Sequence, residues 1–363
     1  MGAGCECACR SDATVPLTDW VAVRGTVDHV TADDSQRRPL VELSEEDILA
    51  QLLPLLNGPG GANGGRHERV VVGPGDDAAV LHNPGDVILT TDTMVRGRDW
   101  RDDWSSARDV AAKLVVQNLA DVAAMGGIPT GLLLTIAADP SIDLAWVLEF
   151  GAGIGEASRA AHTSVLGGDL SSAPSGTVVV SITATGTLAG LAPVLRSGAR
   201  AGDLVAVCGT LGTSAAGLEL LLAGEDPDQA GAVLIAAHRR PTSPLSEGPR
   251  AARAGATAMI DISDGLLRDA ARIASASGVQ LDLSESAILR EAQALVPAVT
   301  DAVARECVLT GGEEHSLLAC MPRRVHRELG SAWRVIGQVV KGSGVSIDGA
   351  VSAPRGWDHF LTE

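Results

Sequence analysis

Hydrophobic and polar residues follow two different periods along the chain, and the two periods alternate. Apolar positions at helical spacing behind Ser44 predict a helix over residues 44–56, and a longer pattern of the same kind predicts one over 105–125 that ends at Gly126. Short runs rich in β-branched residues predict strands between the helical segments. The predicted strands are 69–73, 86–92, 131–138, 177–188, 203–209, 256–261, 279–283, 316–320 and 333–340, and the other predicted helices are 143–162, 214–223 and 265–277.

This mixture of strand and helix, without a short-period repeat, predicts an α/β or α+β fold. The chain has 363 residues, which at roughly 100–200 residues per domain favours two domains. A second series of strands and helices begins near Arg196, so we expect an N-terminal domain over residues 41–190 and a C-terminal domain over 191–363. Residues 1–40 show no sustained periodicity, and we expect them to form a poorly ordered extension.

The composition narrows the possible partners. The chain has 45 acidic and 28 basic residues, and a net charge of −17 repels the phosphates of nucleic acids. No apolar run approaches the ~20 residues of a membrane helix. The N-terminus lacks the basic start and the apolar run of a secretion signal. We therefore expect a cytoplasmic protein with reduced cysteines that binds neither nucleic acid nor membrane.

Aspartates lie where several predicted strands end. The pairs Asp76–Asp77 and Asp261–Asp264 each follow or end a strand, as do Asp92 and Asp169. Aspartate and glycine are common turn residues, which explains any one of these sites taken alone. Taken together, they predict a cluster of carboxylates beside buried strands, which is unstable unless cations neutralise it. Mg²⁺ is the natural candidate, because it prefers oxygen ligands and is bound by one or two carboxylates together with substrate phosphates.

The predicted helix over 105–125 adds polar residues on one face. Asn118 and Asp121 are three apart, and Lys113 and Gln117 follow the same side at helical spacing. Such a stripe is more often the solvated face of a helix. If Asp121 instead points toward the strand-end aspartates, it completes a metal site.

Metal ions and carboxylates together indicate phosphoryl transfer, and the common routes to it are excluded. Only Lys113 and Lys341 are lysines, and neither stands in a phosphate-binding GxxxxGK loop. The catalytic motifs of protein kinases are absent, as are HExxH, GxSxG and a Cys/His cluster. What remains is a carboxylate-rich nucleotide site with several metal ions and almost no lysine.

Eight motifs along the chain resemble the thiamine-monophosphate kinase family. They occur in order from about residue 45 to the C-terminus: GPGDDAAVL, TTDTMV, KLVVQNLADVAAMGGIP, LGGD, RSGARAGDLVAVCG, IDISDGLLRDAARIASASGV, LTGGEE and GWDHF. The resemblance implies the two-domain fold of aminoimidazole ribonucleotide synthetase, with an N-terminal domain whose sheet pairs across a homodimer. It also implies the last step of thiamine diphosphate biosynthesis, in which ATP phosphorylates thiamine monophosphate.

The resemblance also assigns roles to particular residues. The magnesium ligands, for several ions per site, are Asp77, Thr90, Thr91, Asp92, Asp121, Asp169, Asp261 and Asp264. The ATP contacts are Gly168, Asp169, Arg196 and Ser263, and the substrate contacts are Asp99, Glu313 and Trp357. No catalytic residue is predicted beyond the metal ligands, because the attacking phosphate oxygen is already ionised at neutral pH. The chain departs from the family pattern at Asp99, where several relatives have histidine, and at Glu314 and His315.

Two alternatives remain open from the sequence. The first is another ATP-dependent enzyme of the same superfamily, of the aminoimidazole ribonucleotide synthetase, selenophosphate synthetase or hydrogenase-maturation type. The C-terminal sequence HFLTE lacks the cysteine of the hydrogenase-maturation proteins, and Cys5, Cys7 and Cys9 lack the context of a selenophosphate synthetase. The second is a non-enzymatic nucleotide-binding protein, which the retained aspartates disfavour.

Overall fold

The structure is a computed structural model that describes residues 38–57, 69–73, 78–83, 85–224 and 226–357. Most of the predicted N-terminal extension and the Asp76–Asp77 pair lie outside these residues. The helices are α1 (Glu45–Asn57), α2 (Ala107–Ala124), α3 (Leu144–Ala160), α4 (Thr213–Ala223), α5 (Gln229–Arg239), α6 (Glu247–Ala254), α7 (Leu266–Ser277), α8 (Glu285–Ala292), α9 (Asp301–Thr310) and α10 (Arg323–Leu329). The strands are β1 (Val70–Val72), β2 (Val80–Leu81), β3 (Val87–Val95), β4 (Ile128–Ala138), β5 (Ser164–Ser172), β6 (Val178–Thr187), β7 (Leu204–Cys208), β8 (Ala258–Ile262), β9 (Gln280–Leu283), β10 (Ser316–Met321), β11 (Arg334–Val340), β12 (Gly344–Ile347) and β13 (Ala350–Ser352).

The first large sheet has four strands in the order β3-β6-β4-β5. Strands β4 and β5 are parallel, and the other two pairings are antiparallel. Alternate residues of β4 and β6, such as Leu132, Ile136 and Ile182, are buried against α2 and α3. The helices therefore cover one face of this sheet and leave the other open.

The second large sheet has seven strands in the order β13-β12-β9-β11-β7-β10-β8. Every residue of β7, β8 and β10 is buried, as expected for strands that are covered on both faces of the sheet. A large core that includes Ile260, Leu281 and Val308 fills one side, and a smaller core around Met259 and Trp333 fills the other.

Helix α2 connects the two sheets. Its N-terminus carries a capping box in which Ser106 and Asp109 each satisfy the other's backbone N–H. The middle of the helix packs on the first sheet, and its last turn enters the smaller core of the second. Gly248 of α6 is needed at this junction, because a Cβ there would lie 2.0 Å from the Ala123 carbonyl oxygen of α2. The polar face of α2 is thereby placed between the sheets.

The mixed class predicted from the sequence is confirmed, and each predicted strand and helix overlaps an observed one. Helices α5, α6, α8, α9 and α10 and strands β2, β5, β12 and β13 were not predicted. Within the described residues, none of the helices combines the length and apolarity needed to cross a bilayer. The described cysteines Cys208, Cys307 and Cys320 are free and buried.

Candidate active site

A cleft of about 680 Å³ lies between the two sheets and is walled by α2, the β3–α2 connection, the β8–α7 turn and residues 312–315. Most of the predicted site residues line it. They are Thr91, Asp92, Asp99, Asp121, Arg196, Asp261, Ser263, Asp264, Glu313 and Trp357. Elements that are far apart in sequence thus bring the predicted metal, nucleotide and substrate residues to one place.

Three carboxylates interact at the base of the cleft. Thr90 Oγ1 donates a 2.6 Å hydrogen bond to Asp121, and the backbone N–H of Asp92 donates to Asn118 Oδ1 at 3.1 Å. Burial first, and then the negative charge of Asp261, raises the pKa of Asp121 to about 7, and the charge of Asp92 adds to the shift. Gln117 lines the cleft as well. The polar stripe of α2 is therefore the wall of a site and not a solvated face.

The donor set fits a hard divalent cation. Asp92, Asp121 and Asp261 offer only oxygen ligands, and their mutual repulsion is relieved by positive charge. Within the part of the chain that the structure describes, no three His, Cys, Asp or Glu side chains are already grouped closely enough to hold a metal ion. Binding would therefore draw these carboxylates together.

The turn between β8 and α7 is organised by Asp269, which sequence reasoning missed. One carboxylate oxygen of Asp269 accepts the N–H groups of Ser263, Asp264 and Gly265 at 3.1, 3.0 and 3.2 Å. Its other oxygen pairs with Arg272, which also pairs with Asp264. Asp269 is fully buried, and burial followed by the charge of Asp261 raises its pKa to about 6. The signal was present, since Asp269 is part of the quoted DISDGLLRD segment.

The predicted substrate contacts Glu313, Trp357 and Asp99 also line the cleft. Glu313 forms an ion pair of 2.9 Å with Lys113. Trp357 is half exposed, and its backbone N–H donates to the Asp264 carbonyl oxygen at 2.9 Å. Asp99 lines the cleft, but its carboxylate accepts the N–H of Val95 at 2.7 Å and so closes a turn.

Aromatic side chains of the β3–α2 connection, Trp100 and Trp104, also line the cleft. The guanidinium of Arg101 lies over the ring of Trp104, 4.1 Å from its centroid. Trp100 is buried and stacks on Trp146. Trp104 therefore presents a ring at the cleft that the motifs alone did not single out.

The prediction that aspartates stand at strand ends is wrong for two of them. Asp92, with Thr90 and Thr91, lies in the middle of β3, and Gly168 and Asp169 lie inside β5. Glycine and aspartate are uncommon within strands, which is why these motifs resembled turns. Gly168 is tolerated because β4 and β5 approach closely there, and a Cβ would lie 2.0 Å from the Leu134 carbonyl oxygen.

Among the predicted site residues that the structure describes, Thr90, Gly168 and Asp169 do not line this cleft, although Thr90 is hydrogen-bonded to Asp121 beside it. Asp169 pairs across strands with Thr135 on the open face of the first sheet. Ser171 donates to the Asp169 carboxylate at 2.9 Å. Asp77 lies outside the described residues.

Two family models match the chain. The model named "AIR synthase related protein, N-terminal domain" matches residues 75–188, a range that contains the four-stranded sheet. The model named "AIR synthase related protein, C-terminal domain" matches residues 200–349, which contain most of the seven-stranded sheet. The chain thus carries the N-terminal and C-terminal domains of an AIR synthase related protein.

Comparison with individual proteins shows which family of this class the chain resembles. The chain is 41% identical over 297 residues to thiamine-monophosphate kinase of Mycobacterium tuberculosis, covering 80% of this chain and 86% of the relative. The solved structure of AaThiL complexed with AMPPCP and TMP is similar at 31% identity and a TM-score of 0.68, covering 76% and 87% of the two chains. Thiamine-monophosphate kinase from Stenotrophomonas maltophilia K279a is similar at 28% identity and a TM-score of 0.70, covering 85% and 96%. The chain belongs to the thiamine-monophosphate kinase family.

Proposed function

We propose that this protein phosphorylates thiamine monophosphate to thiamine diphosphate with ATP, the last step of thiamine diphosphate biosynthesis. The observation that carries the proposal is the cleft, which is lined by Asp92, Asp121, Asp261 and Asp264 together with Glu313 and Trp357. Family membership supports it, as does the relative complexed with AMPPCP, an ATP analogue, and TMP.

The residues of the cleft account for the reaction without a general base. The second pKa of a phosphate monoester is about 6, so the attacking oxygen of the substrate is ionised at neutral pH. Catalysis then depends on bringing two polyanions together in line. Bound Mg²⁺ supplies the charge neutralisation. Asp92, Asp121, Asp261 and Asp264 would hold the ions, with Thr90 and Thr91 beside them, and with Asp77 and Asp169 added on the resemblance to the family.

The other residues of the cleft divide between the two substrates. Glu313 and Trp357 would bind thiamine monophosphate, and Asp99 would fix the turn beside it. Arg196 is exposed at the cleft and would meet the nucleotide with Ser263 and Gly168. Since ATP is a cytoplasmic metabolite, the proposal includes a cytoplasmic location. The division into domains over 41–190 and 191–363 also remains part of it.

The activity is tested with purified protein, ATP, Mg²⁺ and thiamine monophosphate. We expect thiamine diphosphate and ADP in equal amounts, measured by chromatography of the thiamine phosphates and by a coupled ADP assay. Thiamine without its phosphate is the control, and it should not react. ATP consumption only with an aminoimidazole ribonucleotide precursor or with selenide would assign the chain to another reaction of its class. No turnover with any of these substrates would contradict the proposal.

We also propose that the protein is a homodimer formed through the open face of the first sheet. On that face Leu89 is 68% and Leu133 is 42% exposed, in a sheet whose other face packs against α2 and α3. The neighbouring positions are threonines, including Thr183 and Thr185, which suit close packing of a second sheet. An unpartnered apolar sheet face of this kind favours association.

Replacing Leu133 with glutamate tests the dimer. We expect wild-type protein to elute with twice the mass of the chain in light scattering, and Leu133→Glu to shift it to the mass of one chain, because two charges would be buried without partners. Leu222→Glu, at an apolar position of α4 that is 60% exposed, is the matched control and should stay dimeric. A monomeric wild type, or a dimeric Leu133→Glu, would reject this interface.

A further inference from the structure

Lys113 is one of only two lysines in the chain, and it is buried. Its residue is 3% exposed, although it lies on α2 beside the cleft. Its ammonium Nζ is 2.9 Å from Glu313 Oε2. Lysine is rarely buried without a charged partner, so the position of Lys113 depends on this carboxylate. The pair also joins a helix of the first sheet to a loop of the second.

Glu313 is held at its backbone as well as at its side chain. Its φ angle is +58°, in the left-handed region that non-glycine residues seldom adopt. Its N–H donates to the Ser263 carbonyl oxygen at 2.8 Å, within the turn that carries Asp264. Conformations of this kind cost about 1–3 kcal/mol and persist where the surroundings fix them, typically at functional sites. The side chain of Glu313 is 37% exposed and faces the cleft.

The surroundings leave Lys113 as the main positive charge on Glu313. His238 Nδ1 lies 3.5 Å from Glu313 Oε2 and 3.1 Å from Ser214 Oγ. Burial first, and then Lys113, lowers the pKa of His238 to about 4, so this ring is neutral at pH 7. Burial alone would raise the pKa of Glu313, but Lys113 and then His238 outweigh it, and the net shift is downward. Glu313 therefore presents an ionised carboxylate whose charge is balanced by one ammonium.

The choice of lysine at this position is itself informative. The chain uses arginine for all its other basic residues except Lys341. A guanidinium has five N–H donors in a rigid fork, whereas an ammonium is a compact charge with three. A buried site that offers one carboxylate oxygen suits the ammonium. The use of lysine here fits a requirement for a point charge at Glu313 Oε2.

We infer that Lys113 is a positioning residue for the substrate, which fixes the Glu313 carboxylate across the boundary between the two sheets. The inference rests on the proposed function, and on Glu313 as a substrate contact. With Lys113 in place, one carboxylate oxygen is held and the other stays available to the cleft. Without it, the carboxylate is free to rotate and carries an unbalanced charge.

A double-mutant cycle tests the inference with Lys113→Met, Glu313→Gln and the combined variant. We expect Lys113→Met to raise KM for thiamine monophosphate about tenfold or more, with KM for ATP changed by less than about twofold. Calorimetric titration of thiamine monophosphate into each variant gives the same comparison without turnover. In the Glu313→Gln background, adding Lys113→Met should change KM by less than about twofold, because the positioned group is already absent.

Arg240→Met is the matched control. Arg240 also forms an ion pair with α2, through Asp109, but it is exposed and does not line the cleft. Its loss should leave both KM values unchanged. If Lys113→Met lowers the melting temperature but leaves KM and affinity at wild-type values, the role is only structural and the inference is overturned. If Lys113→Met and Glu313→Gln each raise KM by the same factor whether or not the other is present, the inference is overturned too.

Failure of Lys113→Met to fold and failure of the proposed function can each be distinguished from failure of the inference. If Lys113→Met does not fold, the combined variant, which leaves no unpaired charge, is compared with Glu313→Gln alone, and a KM difference of severalfold would contradict the inference. If the wild-type protein neither binds nor phosphorylates thiamine monophosphate, the proposed function fails. The inference about Lys113 is overturned only where the wild type is active, by one of the variant results given above.

Discussion

Asp92→Asn and Asp264→Asn are each expected to lower kcat by roughly 10²- to 10³-fold or more, because each removes one negative charge from the cleft. Asparagine has nearly the same shape as aspartate. The backbone N–H of Asp92 would still donate to Asn118, and the carbonyl oxygen of Asp264 would still accept from Trp357. The fold should therefore survive. Turnover of thiamine monophosphate at saturating Mg²⁺ and ATP is the measurement, with circular dichroism as the check on folding.

Asp86→Asn is the matched control for Asp92. Asp86 is exposed, directly precedes β3 and does not line the cleft. Its substitution removes the same charge from the same region and should leave kcat within about twofold. Near-normal rates in Asp92→Asn or Asp264→Asn would show that the ligand set is drawn wrongly. A loss of similar size in Asp86→Asn would show that overall charge, and not the cleft, is responsible.

The parts of the fold that the sequence predicted are those with local signals. Helix α2 was predicted over residues 105–125 because its residue pattern and its termination at Gly126 lie within the segment itself, and the structure adds the Ser106 cap. Strands with continuous apolar runs, such as β7 and β8, were found for the same reason. Strand β5 was missed because its Gly-Gly-Asp segment has the composition of a turn. Only the close approach of Leu134 on the neighbouring strand favours glycine there.

The parts of the site that the sequence did not predict depend on distant partners. Lys113 and Glu313 are 200 residues apart in the chain, and no spacing rule connects them. The sequence placed Lys113 on a polar stripe of α2, and such a stripe is more often the solvated face of a helix. Asp269 likewise resembled an ordinary first-turn residue of α7. Its role follows from the three backbone N–H groups that converge on it once the β8–α7 turn is formed.

The structure shows where part of the net charge of −17 is located. Part of it is concentrated at the cleft, where Asp92, Asp121 and Asp261 lie close enough for their charges to interact. In the absence of cations these groups destabilise the fold. An acidic protein can nevertheless bind two phosphate compounds, provided that cations enter with them. In the proposed function, one set of side chains at the cleft therefore affects stability, nucleotide binding and metal binding.

Removal of divalent cations with EDTA is therefore expected to abolish turnover, and added Mg²⁺ is expected to restore it. Because ATP itself is used as a magnesium complex, loss of activity alone does not locate the ions on the protein. Thermal unfolding measured without nucleotide tests whether the ions bind to the protein itself. We expect Mg²⁺ to raise the melting temperature of the wild-type protein, since a ligand at 100 times its Kd stabilises the native state by about 2.7 kcal/mol.

Asp92→Asn separates metal binding by the protein from metal binding by ATP. In EDTA this variant should melt at the same temperature as the wild type or higher, because one repelling charge is gone. On addition of Mg²⁺ it should gain less than the wild type does, because one oxygen ligand has lost its charge. Asp86→Asn should respond to Mg²⁺ as the wild type does. If Mg²⁺ shifts the melting temperature equally in all three proteins, the ions do not bind at Asp92, and the carboxylates of the cleft serve another purpose.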